Sequence, residues 1–366
     1  MATIAPSRRI RRTPFTAGVE AAGVKGYTVY NHMLLPTVFE SVEADYRHLK
    51  SAVQVWDVAV ERQIELRGPD AARLMQMLTP RDLRGMLPGQ CYYVPIVDET
   101  GGMLNDPVAL KLSEDRWWIS IADSDLLFWV KGLAYGYRLD VLVDEPDISP
   151  LAVQGPKAEE LVARVFGDAV RAIKFFRFGW FDFQGVSMAV ARSGYSKQGG
   201  FEIYVDGTAN GMPLWNALFE AGRDLDVRAG CPNLIERIEG GLLSYGNDMT
   251  RENTPHECGL GRFCSTQTAI GCVGRDALLR VAKEGPTQQV RPVSIDGDIP
   301  SCDRAWPLMA KGKRVGQVTS AAKSPDFGTN VGIGMVRMTH WDDGTVLQVD
   351  TPDGPRDATV HEKFWI

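Results

Sequence analysis

At 366 residues the chain has room for two or three domains of roughly 100–200 residues each, and for large buried cores. Its 44% hydrophobic and 23% charged residues are those of an ordinary globular protein, which excludes disordered and fibrous classes. A net charge of −6 and a pI of about 5.5 argue against a general nucleic-acid binder, which needs an excess of Lys and Arg facing phosphates.

The only basic run is Arg8, Arg9, Arg11 and Arg12. No apolar stretch of 7–15 residues follows it, so it does not read as a secretory signal. It reads as a solvated tail or a clamp onto a neighbouring subunit. No run approaches the roughly 18 apolar residues of a membrane span. Next come two segments that look like copies. Residues Ile64 to Ala71 (IELRGPDA) lead into Ala72–Leu78, and Leu151 to Ala158 (LAVQGPKA) lead into Glu159–Phe166. Each predicts a strand, a Gly-Pro turn and an amphipathic helix, with Pro in the helix's first turn and the hydrophobic period switching from 2 to 3.6 at the same place. Strand-like runs follow in both copies: Cys91–Val97, Pro107–Leu112 and Trp117–Ala122, then Trp180–Phe183, Ser187–Ala191 and Phe201–Val205. A duplicated α+β unit with antiparallel sheets and helices on one face is expected. After Glu284–Thr287, a plausible linker, short strands alternate with Gly, Pro and Asp turns (Arg314–Ser320, Val331–Val336, Thr345–Val349), predicting a small β-barrel or sandwich.

The six cysteines form no CxxC pair and have no His at zinc-ligand spacing, so free thiols in a reducing cytoplasm are the simplest account. No metal site is expected. The five histidines are scattered singly. There is no GxxxxGK[ST], no GxGxxG opening a helix, no GxSxG and no HExxH, so nucleotide-driven chemistry, serine hydrolysis and zinc hydrolysis lack their usual parts.

Three stretches concentrate polar and aromatic residues. In Tyr92–Asp106 a Gly-Gly pair permits a tight hairpin, and Asn105 and Asp106 precede an apolar strand; spacing alone reads Asp106 as a turn or cap residue. In Arg192–Tyr204, Glu202 and Tyr204 share one face of a strand. A carboxylate beside an aromatic ring suits a flat heterocycle with donor edges, and a surface-facing strand edge fits the pattern equally. In Glu236–Met249, Arg237 and Tyr245 lie eight apart, roughly on one face if the helix is continuous; the alternative is a helix with solvated charges ending at Gly246.

At these residues the chain resembles the glycine-cleavage T-protein (aminomethyltransferase) superfamily. The Gly-Pro segment, the Gly-Gly turn before Asn105-Asp106, Ser193-Gly194-Tyr195 with Gly200-Phe201-Glu202-Ile203, and Arg237-Ile238-Glu239 with Tyr245-Gly246-Asn247-Asp248 occur in the family's order. So do Thr254–Gly261, Val273–Leu278, Gly316–Ser320 and Ser324-Pro325. The resemblance spans nearly the whole chain. It implies an α+β, aminomethyltransferase-like three-domain fold: two related antiparallel-sheet/helix units, at 1–145 and 146–285 and interleaved, and a C-terminal β-barrel at 286–366. It implies a folate enzyme with tetrahydrofolate as co-substrate. Asp106 matches the essential acid near folate N5. Tyr93 and Tyr195 match pocket aromatics, Glu202 the carboxylate that reads the pterin edge, and Arg237 and Tyr245 further pocket positions.

T-proteins carry Gly-Glu-Asp-Gly after the loop tyrosine, where this chain has Ser196-Lys197-Gln198-Gly199-Gly200. With Gly26–Pro36 and Val53–Val58, this resembles a demethylase branch of the superfamily. The donor implied is a zwitterion with a dimethylsulfonium at one end and a carboxylate at the other. Its cation favours aromatic faces, for which Tyr30, Tyr195 and Tyr204 are the candidates, ahead of Phe176 and Trp180. The expected partners are this small-molecule sulfonium and folate, with a homodimer as the assembly and neither nucleic acid nor membrane. A methylamine such as dimethylglycine, a lipoyl-carried aminomethyl group, and a non-catalytic folate-binding regulator are the competing readings.

Overall fold

The computed structural model describes residues 7–265, 268 and 270–366. Two sheets stack at its centre. The five-stranded sheet is antiparallel throughout, in the order Leu142–Asp144, Gln63–Arg67, Arg116–Ser120, Val108–Ser113, Gln90–Tyr93. The six-stranded sheet runs Phe178–Phe183, Val186–Ala191, Gly200–Asp206, Ile148–Gln154, Val53–Asp57, Val227–Gly230. Its last pair is parallel and the others antiparallel. Val53–Asp57 precedes the first repeat in sequence but lies in the second sheet, so the two units exchange a strand.

Side-chain alternation builds four layers. Trp117 and Ile119 face helices Ala71–Leu78 and Leu126–Gly136, together with Ile64, Leu66 and Leu74. Trp118 turns the other way, with Leu110 and Cys91, onto Tyr204, Ala189 and Ala191 of the second sheet. Phe201, Ile203 and Val205 face helices Ala158–Phe166 and Gly211–Ala221. Each fully buried large side chain stabilises the stack by about 1.5–3 kcal/mol relative to exposure.

The repeat has a backbone reason. Gly68 and Gly155 both hold positive φ, at 142° and 122°. A Cβ there would sit 2.6 Å from the Asp140 carbonyl oxygen and 2.5 Å from that of Ala52, so only glycine lets the neighbouring chain pass. Pro69 and Pro156 lie just before the N-cap residues Asp70 and Lys157, one step outside the first turn where the pattern had put them.

Two other expectations change. The Cys91–Val97 run splits into Gln90–Tyr93 and Ile96–Val97, because Val94-Pro95 interrupts the pairing. The helix through Arg237 ends at Glu239, and Gly240-Gly241, the latter at φ 63°, turn the chain. Arg237 and Tyr245 therefore share no helix face.

Residues Gln288–Val360 form a closed barrel in the order Gln288–Ile295, Asn330–Arg337, Lys313–Lys323, Trp306–Ala310, Val346–Thr351, Gly354–Val360. A shared apolar cluster of Val97, Met103, Ile238, Met249, Leu278, Ile333 and Met335 seats it on the sheet units. The basic N-terminal run is partly spent within the chain, since Arg11 pairs with Glu145 and Arg12 with Glu20.

Candidate active site

Asp106 follows the short strand Met103–Asn105 and precedes Val108–Ser113. Neighbouring Asn105 pins this corner: its amide donates to the Ala122 carbonyl and to Ser124 Oγ, and its oxygen accepts from the Ala122 N–H. The Tyr93 hydroxyl donates to Asp106 Oδ2 at 2.8 Å. Asp106 Oδ1 is enclosed and has no hydrogen-bond partner. Burial pushes the carboxyl up to about 7; the Tyr93 hydroxyl and a backbone bond oppose this, and Asp248 adds to it. Asp106 is therefore a carboxylate with one free oxygen, poised to gain or lose a proton near neutrality.

Four tyrosines converge on it. Tyr93 also packs edge-on against Phe263 at 5.5 Å. Tyr245 donates to the Met103 carbonyl at 2.9 Å, and Tyr195 to the carbonyls of Leu242 and Leu243 at 2.9 and 2.8 Å. Tyr30 closes the N-terminal hairpin of Gly26–Tyr30 and Met33–Val38. The hairpin's turn is tied down by Asn31, whose amide donates to the carbonyls of Val60 and Ala122. Burial raises the hydroxyl pKa of Tyr30 and Tyr195, and the Asp106 charge adds to it in each. The same two causes raise Tyr245.

Glu202 and Tyr204 point the same way from Gly200–Asp206, but this strand is central, so they face the other sheet rather than solvent. Glu202 is 6% exposed, accepts a short bond from the Ser193 hydroxyl, and is pushed up by burial. Tyr204 packs against Trp118 at 5.9 Å, and its hydroxyl has no partner. Of the weaker aromatic candidates, Phe176 packs at the edge of that same inter-sheet cluster, and Trp180 meets Trp118 edge-on while nearly half-exposed.

Arg237 is committed to the protein. It bonds Asp248 at 2.8 Å, Ser320 of the barrel at 2.7 Å, and the Leu242 carbonyl that Tyr195 also uses. Burial works against its charge, and Asp248 and then Tyr195 more than restore it. Asp248 in turn accepts from Thr319 and Ser320. This buried pair locks the barrel to the carbonyls that orient Tyr195.

Four residues had no assigned role in the sequence reading: Glu61, Ser193, Glu236 and Asp248. The last was visible in the Tyr-Gly-Asn-Asp motif without a partner. Glu236 accepts from the Lys197 N–H and the Gln198 amide, so the loop that replaces the acidic pair is anchored here. Glu61 lies in a turn between strands, a position that carries no chemical signal in sequence. Among the described residues no group of His, Cys, Asp and Glu could hold a metal, and no helix is long and apolar enough to cross a membrane.

Two stacked sheet units meeting a closed barrel around a half-buried acid among tyrosines define the architecture of the glycine-cleavage T-proteins. The aminomethyltransferase T of Bartonella henselae superposes with a TM-score of 0.86 over 98% of each chain at 23% identity, a shared fold. The chain belongs to this family: the GCVT N-terminal domain matches residues 15–268 and the glycine cleavage T-protein C-terminal barrel domain residues 291–365. Over 365 residues, covering all of both chains, it is 64% identical to a dimethylsulfoniopropionate demethylase of Ruegeria pomeroyi. It is 31% identical over 364 residues to a probable aminomethyltransferase of Halobacterium salinarum, covering 96% of this chain and 97% of that one.

Proposed function

We propose that the protein demethylates dimethylsulfoniopropionate, moving one sulfonium methyl to N5 of tetrahydrofolate and leaving 3-(methylthio)propionate and 5-methyltetrahydrofolate. Asp106 carries the folate half of this reading: a carboxylate with one free, enclosed oxygen and a pKa near 7 suits an N–H that must be held and then deprotonated. Full-length identity of 64% to the Ruegeria pomeroyi demethylase supports the sulfonium donor, as does the Lys197-Gln198 loop.

The residues present fit a reduced pterin. Glu202 is a buried acceptor suited to the ring's donor edge, and Tyr93, Tyr195 and Tyr245 provide flat walls and oriented hydroxyls. Tetrahydrofolate, when bound, supplies the nucleophilic nitrogen, and the sulfonium carries its own leaving group, so no nucleotide activation is required. Asp106 holds the N5 proton and accepts it as the methyl arrives, while the electron pair of the broken C–S bond stays on sulfur. Tyr30, Tyr195 and Tyr204 face the cation. Arg237 acts from behind Tyr195, through the Leu242 carbonyl and the barrel. Holding two molecules in line can lower the barrier by about 7–11 kcal/mol. We place the divisions at 1–145, 146–285 and 286–366; Val53–Asp57 crosses into the second sheet, and Phe15, Val19 and Phe39 also pack in the second unit's core.

An assay for 5-methyltetrahydrofolate, with the sulfonium or dimethylglycine as donor, tests this. Product from the sulfonium is expected. Turnover of dimethylglycine alone would transfer the protein to methylamine chemistry.

A further inference from the structure

Glu61 is an acid at the site that neither folate recognition nor an ion pair uses. It sits between Val53–Asp57 and Gln63–Arg67, in the turn where the chain passes from one sheet to the other. Ser120, at the end of the strand paired with Gln63, donates to Glu61 Oε2 at a long 3.4 Å. The Gln63 amide bridges the Glu61 carbonyl and Ser120 Oγ at 2.7 and 2.9 Å. Asp106 lies two residues before Val108, which pairs with Ser120, and Glu202, on the same strand face as Tyr204 in the facing sheet, is near enough for its charge to act on Glu61. Three carboxylates thus reach one inter-sheet space from three elements. None of them pairs with a Lys, Arg or His among the described residues.

The space is also lined by groups that lack partners. The Tyr204 hydroxyl and Gln63 Oε1 are both enclosed, on residues 1% exposed, and neither makes a hydrogen bond. Tyr204 lies close enough to Glu61 and Glu202 for both charges to act on its hydroxyl. Glu202 is buried and Glu61 and Asp106 are half-buried; carboxylates so withdrawn from water without a cation either protonate or await one. A sulfonium brings a fixed positive charge, has no proton to lose, and needs no hydrogen-bond donor geometry.

We infer that Glu61 is a specificity-determining residue: its carboxylate faces the sulfonium of the donor, selecting a sulfonium centre over an uncharged carbon centre of the same shape. This rests on the proposed demethylase reading. During transfer the positive charge leaves sulfur and appears beside Asp106. The Glu61 contact is therefore strongest before reaction, and it governs KM rather than kcat.

The test uses the full-length protein with saturating tetrahydrofolate. Dimethylsulfoniopropionate is compared with 4-methylpentanoate, its carbon isostere, which keeps the carboxylate and lacks the sulfonium charge, used as a competitive inhibitor. In Glu61→Gln, KM for the sulfonium should rise on the order of 30-fold or more, as for truncation of a buried charge pair, with kcat unchanged or higher. Inhibition by 4-methylpentanoate should be unchanged or tighter, and tetrahydrofolate affinity should stay within about twofold, which also reports that the fold is intact. Glu61→Asp, which keeps the charge, should recover part of the preference. An unchanged preference in Glu61→Gln overturns the assignment, as does an equal weakening of both donor and isostere. Lost folate affinity would make Glu61 part of folate recognition and overturns it too. If the wild-type protein itself ignores the sulfonium, the donor reading fails first, and this inference falls with it.

Discussion

Replacing Tyr93 by Phe removes one hydrogen bond and almost nothing else. The ring remains, with its edge-on contact to Phe263 at 5.5 Å, so packing should survive. What is lost is the hydroxyl donating to Asp106 Oδ2 at 2.8 Å. That bond favours the ionised carboxylate, while burial disfavours it and has brought the pKa to about 7. A hydrogen bond to a charged acceptor contributes about 1.5–3 kcal/mol, which is about 1–2 pH units. If Asp106 must be ionised to accept the N5 proton, activity disappears as pH falls through its pKa. In Tyr93→Phe the acid limb of kcat should then move up from near 7 by about 1–2 pH units. At pH 7 the ionised fraction drops from about one half to roughly 1–10%, so the rate falls about 5- to 50-fold and recovers at alkaline pH. The assay is the pH profile of kcat for 5-methyltetrahydrofolate formation at saturating donor and folate. An acid limb that stays in place, or moves to lower pH, would refute the proton-acceptor role.

Asp106→Asn should fold and lose about 100- to 10,000-fold in turnover. It should also flatten the pH dependence of stability: a carboxyl whose folded pKa is raised destabilises the fold increasingly as pH rises from about 4 to 7, so the variant should gain in Tm over wild type at pH 8 but not at pH 4. Glu202→Gln should weaken tetrahydrofolate binding about 10- to 100-fold by fluorescence titration, through loss of a charge-assisted acceptor; unchanged affinity would remove Glu202 from the pterin edge. Asp248→Ala leaves the Arg237 charge buried without its partner and should cost about 3–5 kcal/mol in urea unfolding, whereas a loss below about 1 kcal/mol would mean that the pair does not hold the barrel. Gly155→Ala places a Cβ 2.5 Å from the Ala52 carbonyl oxygen at a φ of 122° and should destabilise by more than about 1 kcal/mol in the same assay.

Local pattern carried much of the architecture. The strand, Gly-Pro turn and helix of each repeat were readable because Gly68 and Gly155 satisfy the same backbone demand, and the barrel because its strands alternate with Gly and Asp turns. Glu202 and Tyr204 were readable as a pair because strand alternation puts them on one face, although only the neighbouring strands could show that this face is interior. The strand exchange was not readable in detail: Val53–Asp57 is buried on both sides, and its partners Ile148–Gln154 and Val227–Gly230 lie far along the chain. The helix through Arg237 was overextended because the apolar period continues past Gly240-Gly241, where the backbone turns. Glu61 escaped because a lone acid between strands looks like any solvated turn; its significance comes only from the second sheet that closes over it.

The central claim is most directly tested by isotope. With purified protein, tetrahydrofolate and dimethylsulfoniopropionate bearing deuterated S-methyl groups, mass spectrometry should find one fully deuterated methyl on 5-methyltetrahydrofolate for each 3-(methylthio)propionate formed. An unlabelled folate product, or 3-(methylthio)propionate released without methylated folate, would contradict direct transfer.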